Sequence, residues 1–117
     1  MFVKSKIRSY LLKVGENKSP FDVLLSEYLN GKLKREFQNE KIRVISIRID
    51  WSDDNKCILV RGKYQAYHIY VEIYPSELTI SYDSCNNESM TYPLDSSEQV
   101  YSNLLGVIKM IHIKYSW

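Results

Sequence analysis

A two-layer α+β fold is predicted, with a four- to five-stranded antiparallel meander covered on one face by N-terminal helices and a C-terminal helix. Three observations carry this reading. Residues 42–82 alternate apolar and polar side chains around three turn signals. Residues 2–37 and 95–111 place apolar side chains at helical spacing. The turns, once registered, send one aliphatic set to a single face, and a one-residue slip in any hairpin would destroy that agreement.

The first element follows from Phe2, Val3, Ile7, Tyr10, Leu11 and Val14, which recur at three-to-four spacing before Gly15, a residue suited to a helix C-terminal stop. Basic residues interleave with the apolar ones from Met1 to Val14, which does not fit a secretory leader. Ser19 as N-cap, Pro20 at the first helical position and Asp22 in the first turn open a second helix. It carries Phe21, Leu24, Leu25, Tyr28, Leu29, Leu33 and Phe37, and Asn30 with Gly31 mark where it can end early.

The meander comes next. The polar break Ser52, Asp53, Asp54, Asn55 sets Ile49 opposite Ile58 and Ile47 opposite Val60. Gly62 and Lys63 suit a two-residue turn with glycine at positive φ, which sets Val60 opposite Gln65 and Ile58 opposite Tyr67. Pro75 and Ser76 suit a tight turn, so Ile73 meets Leu78, Val71 meets Ile80 and Ile69 meets Tyr82. The predicted inner face is then Ile45, Ile47, Ile49, Trp51, Ile58, Val60, Ile69, Val71, Ile73, Leu78 and Ile80. A fifth strand over Met90–Leu94 is placed at an edge by Pro93, which lacks an N–H. Asp95 followed three residues later by Glu98 resembles a capping box, after which Val100, Leu104, Val107, Ile108 and Ile111 form the stripe of a C-terminal helix, widened by Tyr101 and Leu105. Gly106 inside that helix costs about 1 kcal/mol against alanine, which predicts close packing on the sheet there.

At 117 residues the chain is expected to form one α+β domain over 1–117, large enough to bury about two thirds of its unfolded surface without staples. Cys57 and Cys85 do not make a disulfide framework, and with no long apolar span the expected setting is the reducing cytoplasm, away from membranes. Sixteen basic against fourteen acidic residues leave +2, unevenly spread. Residues 1–41 hold nine Lys and Arg against five Asp and Glu, a local +4, and the remainder hold seven against nine, a local −2. No Gly-rich phosphate loop, zinc-spaced cysteine pair or His-Glu-x-x-His occurs, which argues against an ATP or dinucleotide enzyme and against a cofactor or metal.

The registers also predict a displayed face of Ser46, Arg48, Asp50, Cys57, Leu59, Arg61, Tyr64, Ala66, His68, Tyr70, Glu72, Tyr74, Thr79 and Ser81. Tyrosine and arginine bury large area while keeping a polar tip, so they carry interface hot spots. Tyrosine is also a good strand former, and cross-strand pairs stabilise an ordinary solvated sheet. The candidate partner-binding residues are Arg48, Asp50, Asp53, Asp54, Arg61, Tyr64, His68, Tyr70, Glu72, Tyr74 and Asp83, the last joining through the acidic turns. A second reading is single-stranded nucleic acid, with Tyr64, Tyr70 and Tyr74 stacking bases and Arg48, Arg61 and Lys63 holding phosphates. In a third, the predicted row Asp50–Cys57–His68–Asp83 brings Cβ atoms about 5 Å apart, the makings of a thiol nucleophile with its base, or of metal ligands. Strand faces lack the cleft and oxyanion donors of acyl transfer, so an ordinary polar row is the default and no catalytic residue is assigned. His112 is expected at the exposed edge of the C-terminal helix.

Two N-terminal helical segments, a Tyr-rich meander and a C-terminal helix in a small cofactor-free chain resemble the bacterial immunity proteins of contact-dependent growth-inhibition and other polymorphic toxin systems. The resemblance spans the chain at the level of architecture and composition, without a motif. It implies a cytoplasmic inhibitor that binds one cognate toxin domain and occludes its active site, and it carries over no residue roles. Many such proteins are acidic, whereas this chain is slightly basic.

Overall fold

The computed structural model describes residues 2–52, 54–83 and 88–115. Helices α1 (Phe2–Val14), α2 (Pro20–Leu29) and α3 (Lys32–Asn39) precede strands β1 (Arg43–Trp51), β2 (Lys56–Tyr64), β3 (Tyr67–Ile73), β4 (Glu77–Tyr82) and β5 (Ser89–Pro93), and α4 (Gln99–Tyr115) closes the order. The antiparallel sheet runs β1-β2-β3-β4-β5, each strand pairing with its neighbours in sequence, and the helices lie on one side. This is the predicted two-layer α+β plan.

Local chemistry explains the helix boundaries. Gly15 sits at φ +65 and donates its N–H to Leu11 O (3.2 Å), a left-handed stop that satisfies an orphan carbonyl. Ser19 and Asp22 form a reciprocal capping box at the start of α2. Gly31, at φ +78, divides the long predicted segment into α2 and α3 at the point where the sequence allowed an early end. Lys41 takes the left-handed conformation (φ +64) after α3, donating to Gln38 O (2.9 Å) while Ile42 donates to Phe37 O (3.1 Å). That pair of bonds is a Schellman motif, and the buried side chains of Ile42 and Phe37 supply its apolar contact.

The β1–β2 and β3–β4 registers are those expected, with Ile49 opposite Ile58, Ile47 opposite Val60, Val71 opposite Ile80 and Ile69 opposite Tyr82. The β2–β3 register is not. The turn is Gln65–Ala66, with φ +52 at Gln65, and it pairs Ile58 with Ile73, Val60 with Val71 and Tyr64 with Tyr67. Because this register differs from the expected one by an even number of residues, β3 keeps its face. Tyr64, expected on the displayed side, instead points inward at 7 % exposure.

Gly62 is therefore a mid-strand glycine, and its purpose is room. Between Val44 and Ser46 the β1–β2 register shifts by one residue, which leaves Ile45 as the extra residue of a bulge, 44 % exposed rather than inward as predicted. Beyond the bulge the alternation is reversed, and Ile42 turns inward over Gly62. A Cβ on Gly62 would lie 2.5 Å from Ile42 Cγ2 and 3.1 Å from the Arg43 carbonyl oxygen.

The rest of the aliphatic face is buried as expected, except that Ile47 and Trp51 are only partly covered. Helix α4 seats Val100, Leu104, Val107, Ile108 and Ile111 on it, while Leu105 stays 39 % exposed. The expected Asp95–Glu98 capping box does not form. Gln99 takes over, its Oε1 accepting from Asp95 N (2.7 Å) and its Nε2 donating to Pro93 O. Gly106 meets nothing within 4 Å, so the predicted close packing there is also corrected. Within the helical layer, Tyr101 Oη on α4 donates to Glu27 Oε1 on α2 (2.6 Å), and burial together with this carboxylate raises the tyrosine pKa.

Three substitutions test this account. Under urea denaturation, Gly62→Ala is expected to lose about 1–3 kcal/mol by overpacking against Ile42 and fixed backbone. Gly106→Ala is expected to gain about 0.4–1 kcal/mol, since a helical glycine in open space gives up chain entropy for no contact. The phenol of Tyr101 satisfies a carboxylate that is 8 % exposed. Tyr101→Phe is expected to cost about 1–3 kcal/mol by leaving that oxygen buried and unpaired.

Candidate functional site: the open face of the sheet

With the helices on one side, the other side of the meander is assembled from cross-strand rows. Arg48, Leu59, Glu72, Thr79 and Thr91 lie in one row across all five strands. Ser46, Arg61, Tyr70, Ser81 and Ser89 lie in the next. A concave groove of about 620 Å³ runs over both, lined by Arg48, Leu59, Arg61, Tyr70 and Glu72 among others. The right-handed twist of neighbouring strands gives an open sheet such a saddle.

Chemistry differs across the open face, of which the groove takes in the β1–β3 part and Ser81. On the β4–β5 side it is hydroxylic, with Thr79 Oγ1 and Thr91 Oγ1 3.0 Å apart and Ser81 Oγ donating to Ser89 Oγ (3.3 Å). On the β1–β2 side stand two guanidiniums. The ion pairs among the described residues are Lys32–Glu27 and Lys114–Glu88, so Arg48 and Arg61 have no carboxylate within 4.0 Å there. Tyr70, 38 % exposed, stands between, its ring stacked on His68 at 6.4 Å and 18°. Tyr74 Oη donates to Glu72 Oε1 (2.8 Å), and that bond, with burial, pushes the Tyr74 pKa up to about 12. Glu72 is thereby held by the residue that follows its own strand.

The predicted Cys57–His68 pair is not formed. Cys57 lies opposite Asp50 as expected, but His68 lies opposite Lys63. The His68–Asp83 pairing does hold, Asp83 N donating to His68 O (2.9 Å). Cys57 is 3 % exposed, and burial, then the Asp50 and Glu72 charges, raise its pKa, the opposite of what an activated thiolate needs. Among the described residues no group of three or more His, Cys, Asp and Glu is placed to hold a metal ion.

The groove thus gathers Arg48, Arg61, Tyr70 and Glu72, with Tyr74, Asp50 and His68 at its margins. Other candidates are scattered. Tyr64 is in the core, hydrogen-bonded to Nε2 of the exposed His112. The acidic turns are not neighbours, because Asp54 follows β1 at one end of the meander and Asp83 follows β4 at the other. Asp53 and Cys85 lie outside the described residues. Sequence reasoning missed the contribution of Ser89 and Thr91, although the alternation Ser89, Thr91, Pro93 against Met90, Tyr92, Leu94 is a signal that assigns them to the open face.

Of the three tyrosines expected to stack bases, Tyr64 is buried, Tyr74 donates its hydroxyl to Glu72, and Tyr70 is 38 % exposed. No described helix is long and apolar enough to cross a membrane. Comparison with protein-family models, curated proteins and solved structures finds no match to this chain.

The burial of Cys57 has a direct chemical readout. In a Cys85→Ser background at neutral pH, alkylation of Cys57 is expected to be slower in the folded protein than in urea by at least an order of magnitude, since reaction requires both access and thiolate. Fast labelling of the native protein near pH 6, lost in His68→Ala, would restore the nucleophile reading.

Proposed function

We propose that the protein is a binding module for one cognate protein, acting in the cytoplasm as an immunity protein that neutralises a toxin domain by covering its active site, and that it is not itself an enzyme. The observation that carries the reading is the uncovered groove in which Arg48, Arg61 and Tyr70 stand together, with no carboxylate among the described residues paired to either guanidinium. Side chains of this kind gain most when a partner desolvates them, since a guanidinium gives a planar fork to a carboxylate and a tyrosine buries a ring while keeping its hydroxyl bonded. The architecture-level resemblance to toxin-neutralising proteins supports the same reading and fixes no residue roles.

Inhibition then requires no chemistry from this chain. A rigid saddle seated over a catalytic cleft excludes substrate, and rigidity limits the ordering entropy lost on binding. The ladder of main-chain bonds and the aliphatic layer beneath hold the anchors in place before the partner arrives.

The test begins with affinity capture of the partner from the source cell and its identification, then compares variants by calorimetry. Tyr70→Ala and Arg48→Ala are each expected to weaken binding by about 2 kcal/mol or more, as loss of a central anchor does. Their thermal midpoints should remain near the parent's, whereas Ile58→Ala, which opens a cavity in the core, should cost about 2–5 kcal/mol of stability. If both surface variants bind as tightly as the parent while substitutions at Asp54 or Asp83 abolish binding, the groove is only a solvated surface.

A further inference from the structure

A second concavity lies away from the open face, where α1 meets the turn end of the first hairpin. Lys6, Ser9, Tyr10 and Lys13 follow one stripe of the helix at three- and four-residue spacing. Opposite them, β1 ends at Trp51 and β2 begins at Lys56. The Tyr10 and Trp51 rings meet edge to face at 5.2 Å. Lys56 Nζ lies 4.9 Å from the Tyr10 centroid and 5.1 Å from the Trp51 centroid, so two aromatic faces fix this ammonium at the cleft wall. The cleft measures about 410 Å³, and Ser5 completes its lining among the described residues.

Among the described residues no acidic side chain lines this cleft. Among the described residues Lys6, Lys13 and Lys56 make no ion pair, and α1 carries no acidic residue in its whole length. Three ammonium groups around one hollow repel one another, and a polyvalent anion relieves all three contacts at once. A monocarboxylate answers one lysine only. Lysine binds phosphate as a point charge, and the Ser5 and Ser9 hydroxyls add donors of the kind that phosphate oxygens accept.

We propose that this cleft binds a linear oligophosphate, the shared chemistry of inorganic di- and triphosphates and of the tails of nucleoside di- and triphosphates. Single-stranded nucleic acid fits less well, because its binding sites use free aromatic faces as stacking platforms and here Lys56 occupies them. This site is independent of the groove assigned to the protein partner.

Calorimetry on the intact protein with sodium tripolyphosphate tests the assignment at low and at moderate salt. Saturable one-to-one binding that weakens with salt is expected, and Lys6→Gln, Lys13→Gln and Lys56→Gln should each weaken it on the order of tenfold, as loss of a charge-assisted contact does. Lys34→Gln, on exposed α3 surface, should leave binding unchanged. ATP and ADP form a second arm, and tighter binding of either than of tripolyphosphate identifies a nucleotide as the source of the phosphates. If Lys56→Gln lowers the thermal midpoint, Lys56→Arg, which keeps both charge and ring contact, should retain binding. Absence of saturable binding at low salt, or binding indifferent to the three cleft lysines, overturns the proposal. So does a single-stranded oligonucleotide that binds through those lysines when tripolyphosphate does not.

Discussion

One residue of mismatch in the β1–β2 ladder governs how the two layers are joined. In an antiparallel meander every side chain's face is set by parity, so an aliphatic set stays inward as long as each register is preserved. The bulge at Ile45 is the single parity change along β1. It puts Ile45 outside and lets Ile42 turn in over Gly62, where there is no Cβ to oppose it. The same Ile42 is the last residue of the Schellman motif that ends α3. Sheet and helical layer are thus linked at one isoleucine, whose backbone caps a helix and whose side chain fills a hollow in a strand. Without the parity change, the chain leaving α3 would enter the sheet with Ile42 directed at solvent.

From that junction follows the division of labour between the faces. The inner face commits Ile49, Ile58, Val60, Ile69, Val71, Ile73, Leu78 and Ile80 to the core. The outer face is free to hold residues that contribute little to folding, among them Arg48, Arg61 and Tyr70. Polar side chains there are ordered by short local bonds, such as Tyr74 to Glu72 and Thr79 to Thr91, rather than by burial under a helix. Cys57 is the exception, covered although it lies on the outer side, and its raised pKa reflects that cover and the flanking carboxylates.

Much of this was legible in the sequence where local chemistry decides the structure. Gly15, the Ser19 cap with Pro20 and Asp22 behind it, and the Asn30–Gly31 break each state a helix end, and the Ser52–Asn55 and Pro75–Ser76 turns fix two hairpin registers. The middle hairpin was misread because Gly62-Lys63 has the composition of a tight turn, whereas the true turn, Gln65–Ala66, contains no glycine and holds glutamine at positive φ, a conformation that sequence propensity disfavours. Since the error was even in residues, Arg61, Tyr70 and Glu72 were still placed on the correct face, and only Tyr64 changed side within the candidate site. The bulge left no mark in the alternation, because Val44 and Ile45 are both aliphatic and either can be read as inward. Concavity, and the mutual placement of α1 against the first hairpin, arise from sheet twist and interlayer packing, which single-residue patterns do not encode.

Sequential strand order leaves the sheet with two free edges, and neither is a good template for main-chain pairing. Strand β5 is five residues long and ends in Pro93, which has no N–H to offer. Strand β1 is interrupted by its bulge and carries Arg43 and Arg48, features that blunt an edge. Association through added strands is therefore discouraged, and what the sheet presents on its open face is side chains. A surface of that kind can change its specificity one residue at a time, because exchanging a side chain on the open face leaves every rung of the ladder in place.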